Sequence, residues 1–182
     1  MDSLLFSDRS ILTMVHGIVL GGGALMALAA ALFGLQTLRA PSAAASDPTA
    51  ARQARNLAWL LVITAALLWL TVVIGTYVIF PPYRATPPDG ITDLSAYPRA
   101  LIRSNPGTAW LHSFAMETKE HAPWIAAMLA TAVAAVALRY RTEVLRDLGL
   151  NTMMRGLVAI CLFLAAYASL LGVFVNKVAP LE

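Results

Sequence analysis

Three histidines are the residues of this chain best suited to chemistry, and their placement is uneven. His112 and His121 fall in one polar stretch, residues 112–124, together with Glu117, Lys119 and Glu120. The third, His16, lies inside an apolar run. Directly after the polar stretch the chain carries no charge until Arg139. Ionisable groups at the mouth of a membrane segment are costly to keep, which makes them functional candidates. A neutral imidazole nitrogen is a metal and haem ligand, and axial ligation sets the potential of a haem iron.

Depth decides which histidines can work together. His121 stands 18 residues before Arg139, and His16 stands 19 before Leu35. A helix rises about 1.5 Å per residue, so both imidazoles lie about 27–29 Å from the inner end of their segments. They share a level near the outer interface. His112 is nine residues above His121, about 13 Å higher and on the opposite face of one continuous helix. His16 and His121 are therefore the expected pair, ligating one haem b between two helices. Glu117, one turn above His121, is the expected hydrogen-bond partner of its second ring nitrogen. Gly23, seven residues after His16, shares its helix face and gives a flat cofactor clearance. His112 replaces His121 as the ligand if the third segment breaks near Pro123. Each histidine also has a plainer reading, as a hydrated interfacial residue bonded to a neighbouring backbone. A copper site on His112 and Met116 has only two ligands on its face.

Elements that hold two histidines at one level must be helices here. The chain is 59% hydrophobic and 13% charged, against about 25% charged in soluble domains. Mean hydropathy is +0.70. Apolar runs occupy residues 11–35, 57–80, 122–138 and 156–175, and about 20 residues span the hydrocarbon core. The third run is short, and its helix is expected to start near residue 108 and reach 140. Backbone groups in lipid must be satisfied internally, so these are helices. The expected fold is all-α, a four-helix transmembrane bundle forming a single domain over residues 1–182. The link 81–107 holds six of the ten prolines and is too long to be a simple turn. A short helix over 94–104, interrupted by Pro98, is expected within it.

Orientation follows from the basic residues. The links between the first two and last two segments hold Arg39, Arg52, Arg55, Arg139, Arg141, Arg146 and Arg155, against Asp47, Glu143 and Asp147. The positive-inside rule puts these links in the cytoplasm, and both termini and the 81–107 link on the outer (periplasmic) side of a bacterial inner membrane.

Several classes are excluded or weakened. The net charge of +3 and pI near 9.4 come without a Lys/Arg run interleaved with aromatics, so nucleic acid is not a partner. The single cysteine, Cys161, lies in an apolar run and reads as a small hydrophobe. No Ser-His-Asp order, phosphate loop or HExxH motif occurs. No charged residue stands in mid-membrane, which weakens a transporter or channel. Histidines on two helices near one face of a four-helix frame resemble the arrangement of small membrane b-type cytochromes. Diheme members of that class use four histidines, so the resemblance implies at most one bis-histidine haem. The expected function is electron transfer within a larger respiratory or photosynthetic complex, between quinol and an outer redox partner. The alternative is a cofactor-free subunit that anchors neighbouring membrane subunits through its small-residue helices.

Overall fold

The computed structural model describes residues 8–38 and 47–179. The centre of the first inner link, with Arg39, lies outside the described residues. Among the described residues there is no strand, and four helices are long and apolar enough to cross a membrane. In chain order the helices are α1 (Ser10–Thr37), α2 (Pro48–Tyr83), α3 (Pro98–Ser104), α4 (Leu111–Tyr140), α5 (Glu143–Arg146) and α6 (Leu148–Val178).

Their ends follow local chemistry. Asp47 caps α2 by accepting the Thr49 amide at 2.8 Å, and Pro48 takes a first-turn position where no N–H is needed. That cap starts α2 nine residues before the apolar run, so Arg52 and Arg55 ride on a polar extension of the helix. Asp147 caps α6 in the same way, accepting the Leu150 amide at 2.7 Å. The helix over 94–104 is shorter than expected, because Pro98 begins α3 instead of interrupting it. Pro81 and Pro82 also do not stop α2 at residue 80. A π-helical turn, Gly75–Ile79, precedes them, and they fall in the first turn of the resumed α-helix, where a missing N–H costs nothing. Helix α4 runs without a break through Pro123.

The four long helices form a square. Helix α1 packs on α2 and α6, and α4 packs on the same two from the diagonal corner. Small residues let these backbones approach: Ala24 and Ala31 of α1, Ala58 and Ala65 of α2, Ala126 and Ala130 of α4 are all buried. Leu28, Leu61, Val133, Met154 and Val158 fill the space between them. The buried Cys161 lies 3.5 Å from the Ala126 carbonyl, as a small core residue would. Large apolar side chains, among them Ile18, Met26, Phe33, Phe163 and Val173, face outward. In water that surface would be a liability; facing lipid it is the expected surface of an integral membrane protein. Trp69 and Trp124 meet edge to face at 5.7 Å, and the Trp69 indole donates to Thr131 Oγ1 at 2.9 Å. Trp124 is thus tied to a neighbouring helix.

A second, smaller core sits at the end that carries the 81–107 link. Tyr83, Ile102, Leu111, Ala115, Leu171 and Val175 build it. It clamps α3 onto the ends of α4 and α6. Within the link, the Asp93 carboxylate accepts the Ser95 amide at 3.0 Å, and this bond holds the carboxyl below its ordinary range.

Candidate functional site

Three π-helical turns interrupt the bundle, all toward the same end: Val15–Gly21 in α1, Gly75–Ile79 in α2 and Leu111–Met116 in α4. Each places an extra residue in a turn and re-aims the side chains around it, and such turns gather at functional sites. His16 lies in the first. Its ring packs on Gly75, the residue that opens the second. A Cβ on Gly75 would stand 2.8 Å from His16 Cε1 and 3.3 Å from Nε2, so glycine is required for the ring to fit. His16 Nδ1 is buried and has no hydrogen-bond partner among the described residues. An orphaned buried nitrogen of this kind is costly and calls for a partner.

Lys119 completes the arrangement from the opposite corner. Its side chain is half-buried and its ammonium lies over Gly172 of α6, whose Cβ would meet Nζ at 2.6 Å. No ion pair to Lys119 occurs among the described residues. Pro123 has no N–H to give to the Lys119 carbonyl, which frees an acceptor at the same level. His16, Gly75, Lys119 and Gly172 come from four different helices, each six to eight residues inside its helix end. That is about 9–12 Å of helix below the bundle end. Two polar side chains therefore stand at similar depth in the same end of the bundle, each given room by a glycine on a neighbouring helix.

The other candidate residues are placed separately. His121 is exposed, on the outward face of α4, and its Nδ1 donates to the Glu117 carbonyl at 2.7 Å, leaving Nε2 free. It is two residues, about 200° of helix, from Lys119, so the two side chains point away from each other. The main chain of Glu117, not its carboxylate, holds the imidazole; the carboxylate is exposed. His16 faces α2 and His121 faces outward, so the fold does not bring them onto one site within the chain. His112 is half-buried, with Nδ1 3.1 Å from the hydroxyl of the buried Tyr83. Gly23 looks on α2 as His16 does, and a Cβ there would meet Leu67 Cδ1 at 3.9 Å, an ordinary contact. Among the described residues, no three His, Cys, Asp or Glu side chains gather as a metal cage.

Hydropathy reads Lys119 as part of a solvated helix end, so sequence reasoning passes over it. Its signal is positional. Lys119 is seven residues before Ala126, on the buried small-residue face of α4.

Fold and residues together describe an all-helical chain with four helices long and apolar enough to span a membrane, and with His16 and Lys119 each packed on a glycine near the same end of the bundle. No family model matches the chain, and no curated protein or solved structure shows detectable similarity to it.

Proposed function

We propose that this protein is an integral subunit of an electron-transfer complex in a bacterial inner membrane, and that a quinol headgroup binds at His16 and Lys119. Both termini and the 81–107 link lie on the outer side in this reading, which the positive-inside rule applied to the arginine-rich links supports. The observation that supports it is an imidazole with an unpartnered buried nitrogen and a half-buried ammonium at similar depth in one end of an apolar four-helix bundle. Such groups are expensive at that depth and are retained where they serve a ligand or a proton path. A quinol headgroup has what they lack: one hydroxyl oxygen to accept from the Lys119 ammonium and a second hydroxyl whose proton can go to the His16 nitrogen. Oxidation of a quinol releases two protons and two electrons: His16 would accept one proton, the second would leave to water at the outer end of the bundle, and a haem b, if held by His121, would accept the electrons one at a time.

The haem belongs to the same proposal. His121 is the better placed ligand, because a backbone carbonyl fixes its Nδ1–H and leaves Nε2 free, the habit of metal-binding imidazoles. A haem held there would lie on the outward face of α4, where a neighbouring subunit could cover it. For His16 to ligate the same iron, its ring would have to leave Gly75. A second reading is favoured by that same outward face: a cofactor-free subunit that anchors membrane neighbours. A reduced-minus-oxidised spectrum after haem-supplemented expression, taken on the protein alone and with its co-purifying subunits, separates the two. An α-band that is reduced by added quinol supports electron transfer. A colourless preparation in both forms leaves the anchoring subunit.

A further inference from the structure

Above the membrane-spanning helices, the end of α2 and the short helix α3 enclose a groove of about 410 Å³. Arg84, Arg99 and Arg103 line it, with Thr86 and Pro87 on the α2 side. Arg99 and Arg103 are four residues apart on α3 and so share a face, an arrangement that is repulsive without an anion between them. Arg84 sets its guanidinium 5.3 Å from the centre of the Phe80 ring. A cation–π contact of this kind does not consume the guanidinium's hydrogen-bond donors. Arg99 Nε is buried and has no hydrogen-bond partner among the described residues. No carboxylate forms an ion pair with Arg84, Arg99 or Arg103 among the described residues. The Ser104 hydroxyl spends its proton on the Leu101 carbonyl and adds no donor.

We propose that this groove is an anion site that takes a phosphate group, supplied by the headgroup of an anionic phospholipid. Guanidinium groups bind phosphate oxygens in a forked, two-point geometry, and three of them converge here with no matching acid in contact. Position favours the lipid as the source. Arg84 directly follows the last residue of α2, so the groove stands at the level where the helix leaves the hydrocarbon and headgroups begin. Lys and Arg side chains at a membrane surface attract anionic headgroups by charge. A bound phosphate would tie α3 to the end of α2 and brace the small core around Tyr83 and Ile102. The site is separate from the His16–Lys119 pair, and its test is independent of any redox activity.

The test uses the full chain in a neutral detergent, delipidated, with thermal unfolding and native mass spectrometry as readouts. Short-chain phosphatidylglycerol, short-chain phosphatidylcholine and inorganic phosphate are titrated separately at constant ionic strength. Phosphatidylglycerol is expected to bind and raise the unfolding temperature, and phosphatidylcholine is not. Each of Arg99→Gln and Arg103→Gln should weaken binding about tenfold or more, since each removes charge-assisted hydrogen bonds. Arg99→Lys, which keeps the charge but not the fork, should fall between. Response to inorganic phosphate alone, lost in the same variants, would keep the anion site and move its source from lipid to free phosphate. Equal binding of phosphatidylglycerol by wild type and Arg99→Gln/Arg103→Gln, or no preference over phosphatidylcholine, would overturn the proposal.

Discussion

Replacing Gly75 with alanine isolates the contact on which the interior site depends. In an ordinary helix, glycine to alanine stabilises by about 1 kcal/mol, because alanine restricts the unfolded chain and suits the helix. At Gly75 the new methyl would stand 2.8 Å from His16 Cε1, closer than side-chain atoms tolerate. Relief needs the ring to turn out of the interior or α1 to move, and overpacking of this kind costs about 1–3 kcal/mol. The net effect expected is a loss of up to about 2 kcal/mol. Gly156 is the control, an exposed glycine of α6 with nothing within 4 Å of its Cβ position. Gly156→Ala should be neutral or stabilising. The assay is unfolding in mixed micelles, read by tryptophan fluorescence. A double-mutant cycle sharpens it: on a His16→Ala background the Gly75→Ala penalty should vanish, because the ring it strikes is gone. If Gly75→Ala behaves like Gly156→Ala in the wild-type chain, or its penalty survives without His16, the ring does not sit on Gly75 and the site falls apart.

Other expectations concern separate parts of the molecule. On a Cys161→Ala background, Ser95→Cys should react with an impermeant thiol reagent added to intact cells and Thr142→Cys should not; the reverse pattern inverts the topology. Tyr83→Phe should destabilise by about 1 kcal/mol through loss of the bond to His112, and a His112→Ala background should abolish that loss. If a haem is bound, His121→Ala should remove or strongly alter its α-band while His112→Ala leaves it unchanged; an unaltered band in His121→Ala removes His121 as a ligand.

The four spans are legible in the residues because hydropathy over about 20 positions is a strong signal. Helix ends are less so, since single residues set them. Pro98 can break a helix or begin one, and only the packing of Pro98 and Ile102 under the link decides that it begins α3. The π turns are invisible in a pattern of residue types, because they answer to contacts between helices. They matter for the site: depth counted along uniform α-helices sets His16 and His121 at one level but says nothing of which way each side chain faces. Lys119 shows the same gap from the other side. Its charge and its neighbours Glu117 and Glu120 read as a solvated end, yet its face is that of Ala126, and that face meets Gly172. Two single glycines on other helices, Gly75 and Gly172, were the partner signals, and neither stands out until the helices are assembled.

The account turns on His16 and Lys119 forming one ligand site, and quinone content tests that most directly. Wild-type protein, His16→Ala and Lys119→Met are purified in parallel, reconstituted with quinone, washed, and extracted for the bound fraction. Wild type should retain quinone near one equivalent, and each variant should lose it while keeping a wild-type helical content by circular dichroism. Retention at the wild-type level in both folded variants, or no retention by wild type itself, would contradict the account.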